Sequence, residues 1–363
     1  MGNRNEPCPC GSGVKFKKCC LGKATSHAPA APSQASNSQV ADSMNAMMGF
    51  PGLSPYSVAK ISEDPRSAGQ DRRLRRLIER GIRDGWTIMK VQRLTTQAIE
   101  AQLAAYGVAH SRERFLRLAE GRDSAWSISE VWLERDDVTC RGTEVDFLGL
   151  AACELWKRYS PERPSVEMID DWMQEGYSLV EERKGAQACD LWWKVWCTLS
   201  PRFLPSMTTM NSTSPVFNGL QSVFNWSQDF ENELFNPSLH DQRYATMGSQ
   251  YCTEWIAQFR DESDLVQLNF RRALSSHLHR LGQSERASEL LHELVEKWPE
   301  NVWGYVALAD AYSHFFRSER ICPYDPEKAE RYLRRALALQ TLRDGDRIML
   351  EDRLEQLHEG AAP

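Results

Sequence analysis

Four of the ten cysteines in this chain lie close together near its first residue, and the other six are scattered. The clustered cysteines are Cys8, Cys10, Cys19 and Cys20. Where thiols are kept reduced, such a cluster indicates metal binding or catalysis rather than disulfide bonds. A dithiol redox catalyst normally carries Cys-x-x-Cys, which this cluster lacks. Four thiolates can coordinate zinc tetrahedrally, with Zn–S distances of about 2.3 Å. We therefore predict a closed zinc site with these four ligands, and iron remains an alternative because four thiolates also suit it.

The residues between the cysteines favour a compact module at 1–23. Pro9 restricts the backbone between the first two cysteines, and Gly11 and Gly13 allow a tight turn that returns the chain. A segment this short has almost no apolar core, so metal binding must supply its folding free energy.

The cysteines belong to a longer pattern, RNEPCPCGSG at 4–13 followed by KFKKCC at 15–20. This pattern resembles the SEC-C motif, named for the C-terminal tail of the SecA protein-translocation ATPase and found in many otherwise unrelated bacterial proteins. The resemblance implies that all four cysteines are ligands. It covers only about residues 3–22, Val14 stands where a basic residue is common, and the motif opens this chain instead of closing it. The Gly-x-x-x-x-Gly-Lys-Ser/Thr sequence of a motor ATPase is absent.

Basic residues flank the cysteines in the sequence, and we predict that they form a basic surface that binds a partner. The predicted partner-binding residues are Arg4, Lys15, Phe16, Lys17 and Lys18. One interpretation is that these charges only balance the anionic thiolate cluster, and the other is that they dock on an acidic surface. In translocation ATPases the module is associated with the SecB chaperone and with ribosomes. The resemblance therefore implies a SecB-like chaperone, a ribosome or a similar surface, with any RNA contacted through phosphates.

Outside the cluster, the best catalytic candidates are Asp229 and Glu233, two carboxylates one helical turn apart. They could ligate a metal or act in acid–base catalysis, but a polar helix surface is the interpretation we favour. Trp226, Phe230 and Leu234 form an apolar stripe beside them. No His-Glu-x-x-His, Gly-x-Ser-x-Gly or dinucleotide glycine pattern occurs. We expect no enzyme, and the alternative is an effector or hydrolytic enzyme whose site is hidden in the helical body.

The remaining cysteines and a tryptophan-rich segment are predicted to be core. The single cysteines are expected to behave as small buried hydrophobic residues, and they are Cys140, Cys153, Cys189, Cys197, Cys252 and Cys322. The segment 192–196 (WWKVW) could form an aromatic platform, but we favour a buried aromatic cluster.

Most of the chain must be helical to position these residues. Apolar residues recur every three or four positions, in the segments 110–120, 144–159, 165–182, 186–199, 239–258 and 264–357. Residues 201–222 are predicted to form a loop. We predict an all-α body, arranged as an α-solenoid, behind a flexible Ala/Ser/Pro-rich linker at 24–65. We divide the body into a helical domain with degenerate repeats at 66–260 and a repeat domain at 261–363.

The repeat domain has the spacing of tetratricopeptide repeats, which are 34-residue pairs of antiparallel helices. Two units are predicted from residues 274–299 and 308–336, with an insertion near Cys322 in the second. A fainter unit lies at 175–195, and a helix at about 343–358 would cap the array.

A helix at 71–84 carries arginines opposite Leu74, Ile78 and Ile82. It could bind a membrane surface or RNA, but we favour a core-packed helix with a solvated charged face.

Composition limits the function. The net charge of -6 and pI near 5.8 disfavour a general nucleic-acid binder, so we expect no specific DNA binding. No run of 18 apolar residues and no secretory signal is visible, so we expect a cytoplasmic protein with no membrane span. We predict a bacterial adaptor whose helical repeats bind a protein or peptide, in an oligomeric state that the sequence leaves open.

Overall fold

The computed structural model describes residues 53–69, 71–315 and 321–359. The chain divides into two compact units, 1–44 and 45–363, and every described residue belongs to the second. The four clustered cysteines, the predicted partner-binding residues from Arg4 to Lys18, and most of the predicted linker lie outside the described residues.

The described residues form helices and connecting loops, with no β-strand among them. The first helices are α1 (Pro55–Ser62), α2 (Arg72–Asp84), α3 (Ile88–Gln92), α4 (Thr96–Ala105), α5 (Arg112–Ala119), α6 (Trp126–Arg135), α7 (Asp146–Tyr159) and α8 (Val166–Glu181). The later helices are α9 (Gly185–Leu199), α10 (Val223–Ser238), α11 (Gln242–Gln258), α12 (Asp264–Arg280), α13 (Ser284–Lys297), α14 (Val302–Tyr312), α15 (Pro326–Leu337) and α16 (Asp344–Glu359). Short 3-10 helices lie at Pro65–Ala68, Gly142–Glu144, Ser200–Arg202 and Met210–Thr213. The predicted all-α body is confirmed for this part of the chain.

Side-chain caps explain where many helices begin. The Ser165 hydroxyl accepts the Met168 amide and starts α8, and Asp325 caps α15 through the Lys328 amide. The predicted helix at 165–182 corresponds to α8, and the one at 343–358 corresponds to α16. The predicted loop at 201–222 contains only short 3-10 turns.

Helix α1 lies within the segment predicted to be linker. Tyr56 is 1% exposed, and its hydroxyl donates to Asp171 of α8 at 3.0 Å. The Lys60 ammonium lies 3.1 Å from Asp170 and 2.6 Å from Asp171. The helical body therefore begins earlier than the predicted boundary at 65/66.

The buried residues form two hydrophobic clusters that meet in α8. One cluster runs from Tyr56 to Met168 and the other from Ile169 to Leu357. The core has no break at the predicted 260/261 boundary, because Trp255 of α11 stacks on Phe270 of α12 with ring centroids 3.6 Å apart.

From α8 onward each helix packs on its neighbours in sequence, and α12 also contacts α10 and α14. Glycine allows α8 and α9 to pack closely. A Cβ on Gly176 of α8 would lie 2.0 Å from Nε1 of Trp192 in α9, so a larger residue would clash there. Sequential packing with alternate helices in contact is consistent with an α-solenoid. None of the helices described is long and apolar enough to cross a membrane.

Candidate functional site: a polar cavity between alternate helices

A cavity of about 280 Å³ opens between α10, α12 and α14. Its apolar wall is Phe235, Phe270, Ala273, Leu291, Ala307 and Ile321. Its polar wall is Gln228, Glu231, Asn232, Asn269, Arg272, Ser276 and Asp310. The cavity is therefore a mainly polar site with one apolar wall, in which several polar groups converge.

The core-facing stripe of α10 determines which residues reach the cavity. Trp226, Phe230 and Leu234 are each fully buried, and Phe230 packs on Trp192 and Tyr251 at 6.1 and 4.6 Å between ring centroids. Because side chains three, four and seven positions apart share a helix face, Gln228, Glu231 and Phe235 project from a different side. In α12 the buried Leu274 does not line the cavity, whereas Asn269, Arg272 and Ser276 line it beside the buried Phe270.

Glu231 carries the clearest electrostatic perturbation in the cavity. Burial raises the pKa of its carboxyl to about 7, and the positive charge of Arg272 opposes part of that rise. No ion pair within 4.0 Å joins the two groups. Near neutral pH the carboxyl is therefore divided between its acid and carboxylate forms.

Other polar groups of the wall also lack a partner. The side chains of Asn269, Arg272 and Ser276 make no hydrogen bond or ion pair within the described ranges. Asp310 differs, because it is 5% exposed and is ion-paired with Arg353 of α16. The unpaired groups remain in contact with solvent. A ligand can therefore replace water as their hydrogen-bond partner.

The arrangement can bind one or two anchoring side chains. Glu231 can accept from a cation, Arg272 can donate to an anion, and Asn269 can do either. The volume lies just below the range of about 300–1,000 Å³ typical of small-molecule pockets. It therefore suits an anchoring side chain better than a large cofactor.

The predicted carboxylate pair does not form a joint site. The Tyr177 hydroxyl donates to Asp229 Oδ2 at 2.7 Å. Glu233 instead packs over Gly185 at the start of α9, where a Cβ on that glycine would lie 2.0 Å from Oε1. The two side chains therefore face different neighbours.

Sequence reasoning missed Glu231, which lies between those two carboxylates. The available signal was its spacing from Gln228 and Phe235 on a face separate from the apolar stripe. That signal is weak, because α12 and α14, which form the opposite walls, are distant in sequence.

The tryptophan segment is core: Trp192 and Trp196 are each 1% exposed. Their indoles donate to the Met173 carbonyl at 3.1 Å and to Glu254 at 2.6 Å. The aromatic-core interpretation is therefore confirmed for these two residues.

Five of the single cysteines are buried as predicted, namely Cys140, Cys153, Cys189, Cys252 and Cys322. The prediction is wrong for Cys197, which is exposed because it lies on the solvent side of α9 beside the exposed Lys194. No group of three or more metal-ligating side chains occurs in the described part.

Comparison with known proteins identifies one motif. The SEC-C motif matches residues 4–22, which confirms the resemblance drawn from RNEPCPCGSG and KFKKCC. No curated protein matches the chain. The chain is thus similar to SEC-C proteins over this short N-terminal segment.

Proposed function

We propose that the protein is a cytoplasmic bacterial adaptor that joins two partners. In this proposal a polypeptide segment binds the cavity between α10, α12 and α14, and the SEC-C motif binds a second partner. The observation that carries the proposal is the set of unpaired polar groups, Glu231, Asn269 and Arg272, on alternate helices of one array.

The repeat pattern supports a role in protein binding. Helices α12 and α13, and then α14 and α15, fall where two tetratricopeptide-like units are proposed, and α16 falls where a cap is proposed. In stacked helix pairs, alternate helices line one continuous surface that can hold an extended partner. The contacts of α12 with α10 and α14 fit this arrangement.

The SEC-C motif would supply the second contact. Cys8, Cys10, Cys19 and Cys20 form a donor set whose chemistry suits zinc, with iron as the alternative. The metal would fold the motif and present its basic residues to an acidic protein or ribosome-like surface. Those residues are Arg4, Lys15, Phe16, Lys17 and Lys18.

Quantitative affinity capture with the full-length chain tests the proposal. Two double variants, Glu231→Ala/Arg272→Ala and Cys8→Ser/Cys10→Ser, are compared with wild type. Each is expected to lose a different set of partners. With a purified partner, loss of the cavity charges should weaken binding about tenfold or more. Arg331→Ala/Arg347→Ala is the matched control, because both arginines are exposed and neither lines the cavity. Identical partner lists for all forms would contradict the proposal.

One observation favours a second function, acid–base catalysis. A carboxyl with a pKa of about 7 beside Arg272 is suited to transfer protons at neutral pH. Glu231→Gln separates the two functions, because a binding site would retain part of its affinity and a general base would lose nearly all turnover. Unchanged biological activity in this variant would eliminate the catalytic alternative.

A further inference from the structure

Helix α2 presents an arginine face that the rest of the body does not use. Six of its 13 residues are arginine. Ile78 is its buried residue, Leu74 and Ile82 are partly buried, and its main contacts are with α1 and Pro65–Ala68. The helix therefore lies at the edge of the body with most of its circumference in solvent.

Five of the six arginines gather on the side opposite Ile78. At about 100° per residue, they fall in an arc about 100° wide. The residues of this arginine face are Arg72, Arg73, Arg76, Arg80 and Arg83, all exposed. The face extends about 16 Å along the helix at 1.5 Å per residue.

The charges of this face are compensated only in part. The exposed Glu79 lies at its edge, within one turn of Arg76 and Arg83, but forms no ion pair within 4.0 Å with any described residue. Arg72, Arg73, Arg76 and Arg80 form no ion pair with any described residue, and Arg83 lies 3.4 Å from the exposed Asp84. Asp71 is occupied as the N-cap, accepting the amides of Arg73 and Leu74. The chain carries a net charge of -6, but exposed charges more than about 8 Å away are largely screened at physiological salt.

Arg83, in the last turn, is favourable to the helix dipole, but the arginines at the start of α2 do not help the helix to form. Four of the first five residues of α2 are arginine, and its first turn holds no acidic residue. Cations are unfavourable at the N-terminal end of the helix dipole. The pairs Arg72–Arg76 and Arg76–Arg80 also place like charges one turn apart. A dense anionic partner would relieve both effects.

We propose that the arginine face binds the phosphate backbone of a nucleic acid without reading its bases. Five guanidinium groups over about 16 Å need a closely spaced row of anions. Each strand of a duplex supplies one phosphate per about 3.4 Å of the helix axis, whereas an extended acidic peptide presents one carboxylate per about 7 Å on a given side. Arginine also matches phosphate oxygens through paired hydrogen bonds. The face contains no aromatic residue for base stacking.

A membrane surface fits this helix less well. A membrane-bound helix needs an apolar face to bury among lipids, and the apolar side of α2 already packs against the body. Leu77, 54% exposed, is the one large apolar side chain that α2 presents.

Fluorescence anisotropy with the full-length chain tests this proposal. The probes are a short RNA duplex, the same sequence as DNA, single-stranded polyuridine, and vesicles containing phosphatidylserine. If all five arginines contact phosphates, log K against log salt should have a slope of about -4.5 on a duplex. That slope corresponds to an affinity loss of about 500-fold between about 50 and 200 mM salt.

Matched variants separate this face from the other basic residues of the chain. Arg76→Ala/Arg80→Ala should reduce the slope to about -2.7 and the loss to about 40-fold. The thermal stability of Arg76→Ala/Arg80→Ala should be no lower than that of wild type, because the variant removes repulsion between like charges. Arg331→Ala/Arg347→Ala removes the same charge elsewhere and should leave the slope unchanged. Equal slopes for wild type and Arg76→Ala/Arg80→Ala would overturn the proposal, as would binding to the vesicles without binding to any nucleic acid.

Discussion

His277 should make the helical body sensitive to acid. His277 lies in α12 and is 1% exposed. Its ring packs against Gly248 of α11, and a Cβ on that glycine would lie 2.3 Å from Nε2 of the histidine. Its Nδ1 has no hydrogen-bond partner among the described residues. Burial and the nearby charge of Arg280 lower the pKa of His277 from 6.5 to about 3. The folded protein therefore holds this ring neutral at pH values where an unfolded chain would protonate it.

The expected loss of stability follows from the two pKa values. A histidine with a lowered folded-state pKa stabilises the fold above pH 6.5, and that stability is lost as the pH falls from 6.5 toward 3. At about 1.4 kcal/mol per pH unit, protonation of His277 should lower the free energy of unfolding by about 2 kcal/mol at pH 5 and by about 4 kcal/mol at pH 3. A total stability of about 5–15 kcal/mol makes even the first loss measurable.

Denaturant titration of wild type and His277→Phe at about pH 7.5 and about pH 5 measures this effect. Phenylalanine keeps a ring against Gly248 and cannot be protonated. The variant should therefore lose about 2 kcal/mol less than wild type between the two pH values. His240→Gln is the control, because His240 is exposed. Equal losses in wild type and His277→Phe would refute the reasoning.

Three further predictions concern packing, the cavity and the metal. Gly176→Ala should destabilise the body by about 1–3 kcal/mol in thermal unfolding, because the new Cβ would clash with the Trp192 indole. Gly81→Ala, whose new Cβ would have no atom within 4 Å, should instead stabilise the body by up to about 1 kcal/mol. Equal changes in stability for the two variants would contradict the close packing of α8 on α9 at Gly176. Because the folded-state pKa of Glu231 is raised to about 7, stability should fall as pH rises from 4.5 to 7. Glu231→Gln should therefore raise the free energy of unfolding by on the order of 1 kcal/mol at about pH 8 and by little at about pH 5. The expected gain is small because the side chain is partly solvated. A gain in stability that does not depend on pH would disprove this account. Elemental analysis should find about one metal ion per chain, lost in Cys8→Ser/Cys10→Ser, and equal metal content in both forms would exclude the cysteine site.

Helix positions could be predicted from sequence where capping and apolar spacing agree. Helix α8 begins after the Ser165 cap and buries Met168, Ile169 and Met173 on one side, so its bounds were predictable within about two residues. Helix α1 was not predictable in this way. Its segment has a linker-like composition, and the contacts that fix it, such as that of Tyr56 with Asp171, come from a distant helix.

The candidate site was less predictable than the helices. The pair Asp229 and Glu233 was visible as two carboxylates one turn apart, yet neither lines the cavity. The pKa of Glu231 is raised because α12 and α14 enclose it, and a single helical pattern contains no information about those neighbours. Local periodicity thus predicts which faces are buried, while tertiary packing decides which polar residue is left unpaired.

Site-specific photo-crosslinking tests most directly whether the cavity between α10, α12 and α14 holds a polypeptide. A photoreactive residue is placed at Asn269, inside the cavity, or at Arg347, an exposed residue of α16. Each full-length form is irradiated with the purified partner. The proposal requires cross-linking from position 269 that Glu231→Ala/Arg272→Ala strongly reduces, and little cross-linking from position 347. A bound partner that cross-links from position 347 and not from position 269 would contradict the account.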